Sequence, residues 1–256
     1  MNHWELMART LEQRGKVSPL FQAPWLVQGC FRIDWLHACD QGVSADFLGN
    51  LLLAFARKQP ARTLRKQVQL LWDKIQAWYV RRGVQDRLPH LFPSTLQQPK
   101  KAPKLRGSAA QVRALIPFAL DSSKDLLSLS DPVESAMRSG MHHLHQCYMC
   151  LDSGSVFSSD VLRDSAVRFA QQFVALESHF PDPMAWRIKP KLHLFLELAA
   201  EGSRPSQFWC YRDEDWGGSV ARMARRRGGR SSLASFSANV LTRFRVQQPA
   251  VRMLKS

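Results

Sequence analysis

The sequence predicts a mixed α+β fold that is predominantly helical. Apolar residues recur at spacings of three and four over several segments, which indicates amphipathic helices. The run Trp25–Ile33 mixes branched and aromatic side chains over a short length, and this is typical of a strand. A small remnant of sheet is therefore expected around residues 25–34, beside a helical majority. With 256 residues, 45% of them hydrophobic, the chain can bury a core.

The first two predicted helices follow this strand. Gly42-Val43-Ser44 offers a cap, and apolar residues keep helical spacing from Phe47 to Phe55. The second helix is expected over about residues 62–82, with an apolar stripe and with cations displaced from it. Residues 89–108 carry several prolines and a group of cations, which indicates an exposed linker or loop. That group consists of Lys100, Lys101, Lys104 and Arg106.

Three further helices are expected before the last segment of the chain. Asp131-Pro132-Val133-Glu134 is typical of a helix start, with an acceptor at the cap and proline at the first position, and this helix should reach about Leu151. Another is expected over residues 159–178 and a third over residues 189–201. A final helix is predicted over residues 231–245, behind an Arg-Arg-Arg-Gly-Gly-Arg hinge.

These elements divide into three predicted segments. Residues 1–58 carry the strand and the residues that follow it. Residues 59–185 form a helical insertion with the basic, proline-rich loop near residues 89–108. Residues 186–256 form a C-terminal helical segment with an acidic cluster and a basic tail.

The charge of the chain is concentrated in two blocks. The formal net charge is +15, and residues 57–106 contain 13 Lys and Arg against two acids, while residues 219–256 contain nine against none. A mildly acidic body with two basic arms is the pattern expected of a protein that binds a phosphate polymer. A basic solvated surface that keeps the protein soluble is the alternative. The charge therefore favours nucleic acid as the partner.

The cysteines and the N-terminus predict an intracellular protein. Five cysteines, an odd and small number, do not suit a secreted disulfide framework. No basic leader followed by an apolar run is present, and no stretch has the length needed to span a bilayer. We expect a protein of a reducing compartment with no membrane partner.

Three short segments contain residues that could carry chemistry. Asp34 and His37 form a D-x-x-H motif at the end of the predicted strand. The segment Lys189-Pro190-Lys191-Leu192-His193 introduces a helix that places His193 and Glu197 on one face, four residues apart. The segment 211–218 carries three consecutive acids, Asp213, Glu214 and Asp215, just before the basic tail. Neighbouring carboxylates repel one another, so cations or a metal are expected to offset them, although a solvated acidic turn is the simpler interpretation.

In this order the three segments resemble the transposases of the CACTA and Plavaka type, which belong to the RNase H-like group with an Asp-Asp-Glu metal triad. The resemblance covers about residues 27–230. It implies that Asp34, with His37, supplies the second aspartate of the triad and that Glu214 supplies the third ligand. It further implies a remnant of an RNase H-like sheet with a large helical insertion.

The resemblance implies a catalytic site for phosphoryl transfer, with Asp34, Glu214 and His37 as catalytic residues. Asp34 and Glu214 would hold Mg²⁺ or Mn²⁺, because hard divalent ions take carboxylate oxygens and activate an attacking oxygen. The family's first aspartate lies on an earlier strand, whereas residues 1–33 of this sequence contain no aspartate. We therefore expect an N-terminally truncated, transposase-derived DNA-binding protein that is inactive alone. A second copy or a full-length transposase would have to complement it.

The expected nucleic-acid contacts come from three parts of the sequence. Each cation that neutralises a phosphate releases counterions, so clustered cations give affinity. The run 222–230 would also serve as a nuclear-import signal, so a nuclear location is expected. The predicted DNA-binding residues are Lys100, Lys101, Lys104, Lys189, Lys191, His193, Arg212, Arg222, Arg225, Arg226, Arg227 and Arg230.

Other interpretations of the sequence stay open. His143, Cys147 and Cys150 share a helix face and could bind Zn²⁺, but no second Cys-x-x-Cys supplies a fourth ligand, so packing in the core is favoured. The whole chain could be a non-catalytic helical nucleic-acid-binding module whose acids are incidental. It could also be a helical interaction protein whose basic surface binds acidic partners.

Overall fold

A computed structural model describes residues 31–152, 154, 156–180, 184–225 and 242. The chain divides into two compact units, residues 1–208 and residues 209–256. The division falls within the predicted segment 186–256. Each unit is described by itself.

Every regular element in the described ranges is helical. Among the described residues of the first unit, the first regular element is a π-helical segment, Leu36–Ser44, and the last is a 3₁₀ turn, Pro205–Gln207. The second unit contains α9 (Tyr211–Arg225). Between the π-helical segment and the 3₁₀ turn lie α1 (Ala45–Arg57), α2 (Leu64–Arg82), α3 (Pro93–Leu96), α4 (Ala109–Ala114), α5 (Ile116–Leu126), α6 (Pro132–Met149), α7 (Ser159–His179) and α8 (Lys191–Ala200).

The predicted α+β class, with a remnant of an RNase H-like sheet, is wrong for the part of the chain that the structure describes. Residues 31–34 form no strand, and residues 25–30 lie outside the described ranges. The Asp34 carbonyl accepts the Ala38 N–H at 3.0 Å, so the chain turns into a helix where a strand was expected to end. Short apolar runs occur in buried helices and in strands alike, and periodicity alone does not distinguish them.

The predicted long helices are confirmed, with ends close to those expected. α1, α2, α6, α7 and α8 correspond to the five helices predicted between residues 44 and 201. The Asp131 carboxylate accepts the Val133 and Glu134 N–H groups at 2.8 and 3.0 Å, which confirms the predicted cap of α6. α3, α4, α5 and α9 were not predicted. The helix expected over residues 231–245 lies outside the described residues.

The helix α1 is the centre of the first unit. Phe47, Leu48 and Phe55 are fully buried in it. The π-helical segment, α2 and α5 pack against it, and α7 packs between α6 and α8. The Phe47 ring meets Phe169 and Phe173 of α7 edge to face, at centroid distances of 5.1 and 5.6 Å. Because α1 is enclosed on several sides, the loops anchored to it are held at fixed positions.

Long apolar helices of the kind that cross a bilayer do not occur among the described residues.

Candidate functional site

A positively charged cleft lies between two loop segments of the first unit. Its volume is about 420 Å³. One wall comes from residues 100–106 and the other from residues 184–190, although these segments are far apart in sequence. No acid is among the described residues that line it. Six cationic side chains do so, namely Lys100, Lys101, Lys104, Arg106, Arg187 and Lys189. The cleft therefore concentrates positive charge from two parts of the chain.

The first wall is held by backbone hydrogen bonds and by a close approach to α1. The Leu105 N–H donates to the Ala45 carbonyl at 2.8 Å, and the Lys104 N–H donates to the Leu96 carbonyl at 2.7 Å. Gly49 of α1 makes room for this contact: a Cβ atom there would lie 2.4 Å from Lys104 Cα, closer than real Cβ atoms come. The sequence therefore needs glycine at this point for the loop to reach the helix.

Arg106 acts mainly on the loop itself. Its Nη1 donates to the Ser94 carbonyl at 3.0 Å and lies 3.4 Å from the Thr95 and Lys104 carbonyls. The guanidinium thus ties residues 94–104 together while its charge contributes to the cleft. The segment predicted as an exposed loop is partly buried, because Leu96 and Leu105 insert into the core.

The second wall is anchored through Trp186. This residue is 3% exposed and has φ of 55°, a left-handed conformation that bulky residues rarely adopt. Its N–H donates to the Asn50 side-chain oxygen at 2.9 Å, and its ring packs on Phe47 and Phe173 at 5.2 and 6.1 Å. These contacts stabilise the unusual backbone. Lys100, on the opposite wall, also has a positive φ, of 58°. Backbone strain of this kind concentrates at functional sites.

A buried carboxylate lies behind two of the lysines that line the cleft. The Asp46 side chain is 5% exposed, and its Oδ1 lies 2.6 Å from Lys189 Nζ and 3.9 Å from Lys104 Nζ. Lys104 Nζ also donates to the Gln41 carbonyl at 2.7 Å. One anion thus orients a lysine from each wall. The other four cations of the cleft form no ion pair with Asp46, so the cleft keeps a strong net positive charge.

Burial and crowding act on the Lys104 ammonium. The pKa of Lys104 is lowered from its ordinary value, first because burial penalises the charged form and then because Lys189, Lys191 and Arg106 repel it. The Asp46 carboxylate opposes this shift. The Lys104 ammonium therefore loses its proton more readily than a fully solvated lysine does.

The N-terminus of α8 lies at the edge of the cleft. Pro190, which lines the cleft, is the residue that precedes the helix, and no side chain caps this end. Free N–H groups and the helix dipole favour an anion at such an end. Lys191 is the first residue of the helix. Its positive charge repels the Lys104 ammonium and adds to the positive potential at this edge of the cleft.

The structure brings together four of the predicted DNA-binding residues, namely Lys100, Lys101, Lys104 and Lys189, in this cleft. His193 lies on the exposed face of α8 and pairs with Glu197 at 3.0 Å, which confirms that the two share a helix face. Arg212 and Arg222 are exposed on α9 of the second unit, and Arg225 is the last residue of that helix. Arg226, Arg227 and Arg230 lie outside the described residues.

Asp34 and His37 contact each other at the start of a helix, and their predicted catalytic role stays a prediction. The Asp34 Oδ2 atom accepts the His37 backbone N–H at 2.9 Å and the His37 ring N–H at Nδ1 at 2.7 Å. An aspartate that accepts the N–H three residues later is the usual N-terminal cap of a helix. The D-x-x-H motif therefore begins a helix, and its predicted placement at the end of a strand is wrong, because residues 31–34 form no strand.

Glu214 lies on the exposed first turn of α9, in the second unit. Its N–H donates to the Cys210 carbonyl at 2.9 Å. An acidic residue is favourable in a first helical turn because it complements the helix dipole. Residues 211–218 are helical, whereas the alternative interpretation of the acidic cluster was a solvated turn. The pairing of Glu214 with Asp34 around Mg²⁺ or Mn²⁺ stays a prediction.

The alternative zinc ligands lie mostly in the interior. Cys147 is fully buried and Cys150 is 8% exposed, whereas His143 is half-buried. Burial raises the pKa of both thiols and lowers that of His143. The buried thiols are therefore protonated at neutral pH, and zinc binding to them would have to displace those protons.

Sequence reasoning missed a buried polar cluster at the π-helical segment. The Tyr148 hydroxyl donates to Asp40 Oδ1 at 2.5 Å and lies 2.8 Å from Ser44 Oγ. Cys39 Sγ lies 3.4 Å from the same serine oxygen. Burial raises the pKa of Asp40 to about 7, against the opposing effects of the Tyr148 hydrogen bond and of Arg113. No sequence signal marks this cluster, because Tyr148 is more than a hundred residues away from the others.

Comparison of the chain with protein-family models, with curated proteins and with solved structures gives no match. The resemblance to transposases rests on the quoted residues alone and stays a prediction.

Proposed function

We propose that the chain binds the phosphate backbone of DNA through the cationic cleft of its first unit. The observation that carries this proposal is the convergence of six cations from residues 100–106 and 184–190 on one cleft. Phosphate polymers are the ligands that such clusters attract most strongly, because each contact releases condensed counterions. Of the functions considered from the sequence, this is the non-catalytic helical nucleic-acid-binding module.

The organisation of the cleft supports a built site over a solvated surface. Solvent-exposed cations repel one another and disperse, whereas here Asp46, buried beneath them, holds Lys104 and Lys189 close together. Asn50, Gly49 and the aromatic contacts of Trp186 fix the two walls to α1. A preorganised site of this kind loses less conformational entropy on binding than a flexible basic loop does.

Binding of an acidic protein is the competing function for the same charge. A sugar-phosphate backbone carries one charge per nucleotide on each strand at regular spacing, whereas an acidic peptide carries carboxylates on flexible stems. Polyglutamate added as a competitor separates the two. We expect duplex DNA to remain bound at polyglutamate concentrations that match its charge, and displacement at equal charge would favour the protein partner.

The test is fluorescence anisotropy with a labelled duplex, using two matched double variants of the full chain. Lys100→Gln/Lys101→Gln removes two exposed charges from the cleft, and Arg65→Gln/Lys66→Gln removes two exposed charges from α2. We expect the cleft variant to bind several-fold more weakly than the wild type and the α2 variant to bind nearly as well. Equal losses in both variants would show that only total charge matters and would overturn the proposal.

A nuclear location belongs to this proposal, since the arginines of residues 222–230 fit an import signal. A fluorescent fusion of the whole chain that stays out of the nucleus would contradict it. Catalysis by Asp34 and Glu214 is not needed for binding in the cleft, and it stays a prediction together with descent from a transposase.

A further inference from the structure

Lys104 differs from the other lysines that line the cleft. Lys100 and Lys101 are exposed to solvent, and Lys189 lies 2.6 Å from the Asp46 carboxylate. Lys104 is half-buried, and its Nζ is 3.9 Å from the same carboxylate oxygen, beyond hydrogen-bonding distance. Its nearest acceptor is the neutral Gln41 carbonyl, at 2.7 Å. The ammonium therefore has weaker compensation for its charge than that of Lys189.

The surroundings of Lys104 favour a reactive amine. A lysine that is partly desolvated and flanked by other cations loses its proton more readily, and the neutral amine is a nucleophile. Lys189, Lys191 and Arg106 all raise the cost of the charged form of Lys104, as does burial. The remaining cations of the cleft are able to hold an anionic group beside it.

We propose that Lys104 forms a Schiff base with an aldehyde that carries a phosphate group, while the phosphate is held by the cations of the cleft. This inference rests on the proposed function, because both require the cleft to attract phosphate groups. A deprotonated Lys104 Nζ attacks the carbonyl carbon, so that a C–N bond forms and the C=O π bond breaks. The remaining C–O bond then breaks as a C=N bond forms, and the oxygen leaves as water with the two protons that the amine nitrogen carried. The proton that the ammonium had first released to solvent returns to the imine nitrogen. An ammonium and an aldehyde thus give a protonated imine and water, and no oxidant or reductant is consumed.

The first test uses pyridoxal 5′-phosphate at near-neutral pH with the full chain, followed by borohydride to fix the imine as a secondary amine. Peptide mapping at limiting reagent should find several-fold more label on Lys104 than on Lys100 or Lys101. Pyridoxal, which lacks the phosphate, should label Lys104 several-fold less. Label spread evenly over the three lysines, or equal labelling by both reagents, would overturn the inference. Because these measurements use the wild type, they do not depend on a variant that folds.

Two variants sharpen the assignment. Lys104→Arg keeps the charge but removes the primary amine, so the main labelled peptide should disappear, while Lys101→Arg, the matched control, should keep it. Persistence of the main label in folded Lys104→Arg would contradict the inference.

A second arm separates this inference from the proposed function. An oligonucleotide with an abasic site offers the same chemistry, an aldehyde beside phosphates, on DNA. Borohydride should trap it on Lys104, and an excess of intact duplex should protect Lys104 from pyridoxal phosphate. Selective labelling by pyridoxal phosphate without any protection by DNA would uphold the reactive lysine and contradict DNA binding in the cleft. If DNA protects Lys104 but Lys104 reacts no faster than its neighbours, the result would uphold DNA binding in the cleft and contradict the reactive lysine.

Discussion

Lys189 Nζ lies 2.6 Å from Oδ1 of Asp46, and this contact joins residues 143 positions apart in the sequence. Asp46 belongs to the buried helix α1, whereas Lys189 lies on the wall of a cleft. The pair therefore connects the core of the first unit to the cationic cleft. The cleft depends on this connection, because Lys104 on the other wall faces the same carboxylate.

Substitution of Asp46 by Asn should destabilise the protein. The carboxylate is 5% exposed, and its removal would leave two crowded ammonium groups without their counter-ion. Loss of one partner of a buried pair costs about 3 kcal/mol. Urea denaturation followed by circular dichroism measures the change. Asp160→Asn, which removes an exposed acid that pairs with Arg163 at 3.0 Å, should change stability very little. Equal effects of the two substitutions would contradict the importance of the buried pair.

Substitution of Gly49 by Ala should displace the wall of the cleft that contains Lys104. The new Cβ would lie 2.4 Å from Lys104 Cα and 2.5 Å from its backbone nitrogen, and backbone atoms cannot rotate away as a flexible side chain can. Overpacking of this kind costs about 1–3 kcal/mol. Both thermal stability and DNA affinity should fall. The control is Gly217→Ala in α9, where the added Cβ meets nothing within 4 Å and helix propensity should improve. An unchanged melting temperature for Gly49→Ala would show that the loop does not depend on this approach.

Stability should depend on pH through Asp40. Burial raises its pKa from 3.8 to about 7, whereas in the unfolded chain it titrates near its ordinary value. Between these two values the folded state binds more protons than the unfolded state, so stability falls as the pH rises and then levels off. The full effect is about 4 kcal/mol at most for a shift of this size.

The groups that face Asp40 determine which substitution is a suitable control for this measurement. The Tyr148 hydroxyl, Arg113 and Trp35 lower its pKa, and Asp34 raises it slightly. Asp40→Asn keeps an acceptor for the tyrosine but cannot ionise, so its unfolding free energy should vary less between about pH 4 and pH 7 than that of the wild type. Identical pH profiles for the wild type and Asp40→Asn would rule out this carboxyl as the source.

Asp34 should behave as a helix cap. Asp34→Ala removes the acceptor for the His37 N–H and should cost about 1 kcal/mol, while Asp34→Ser, which keeps a capping oxygen, should retain most of that stability. A metal ligand would behave differently, because serine would then be as damaging as alanine. Thermal unfolding with and without Mg²⁺ decides between them: a stabilisation by Mg²⁺ that both substitutions abolish would support the predicted metal role.

The long helices could be predicted because their apolar stripes are internal to each segment. The spacing of Phe47 to Phe55, and the cap at Asp131, depend only on residues within one or two turns. The predicted strand failed because Trp25–Ile33 is too short to carry a decisive period, and the described end of it leads directly into a helix. The D-x-x-H motif was ambiguous for a related reason, since aspartate is favoured both at helix caps and at metal sites.

The cleft itself could be predicted only in part. Clustered charge identified Lys100, Lys101 and Lys104, and Lys189 was singled out in a separate motif. These lysines share one cleft because of Gly49, Asn50 and Trp186, which has a left-handed backbone. These three residues act through contacts between segments that are far apart in the sequence. Asp46 gave no signal either, because a single acid near the start of a helix ordinarily complements the dipole at its surface. Charge composition can therefore predict a type of ligand, but packing decides where it binds.

The salt dependence of DNA binding shows whether the phosphates of DNA contact the lysines of the cleft. The slope of log affinity against log salt concentration counts the phosphates that the protein neutralises, at about 0.9 per contact on duplex DNA. If DNA binds in the cleft, Lys100→Gln/Lys101→Gln should make this slope shallower by about 1–2, while Arg65→Gln/Lys66→Gln should leave it nearly unchanged. A slope that both double variants reduce equally, or that neither alters, would contradict binding in the cleft.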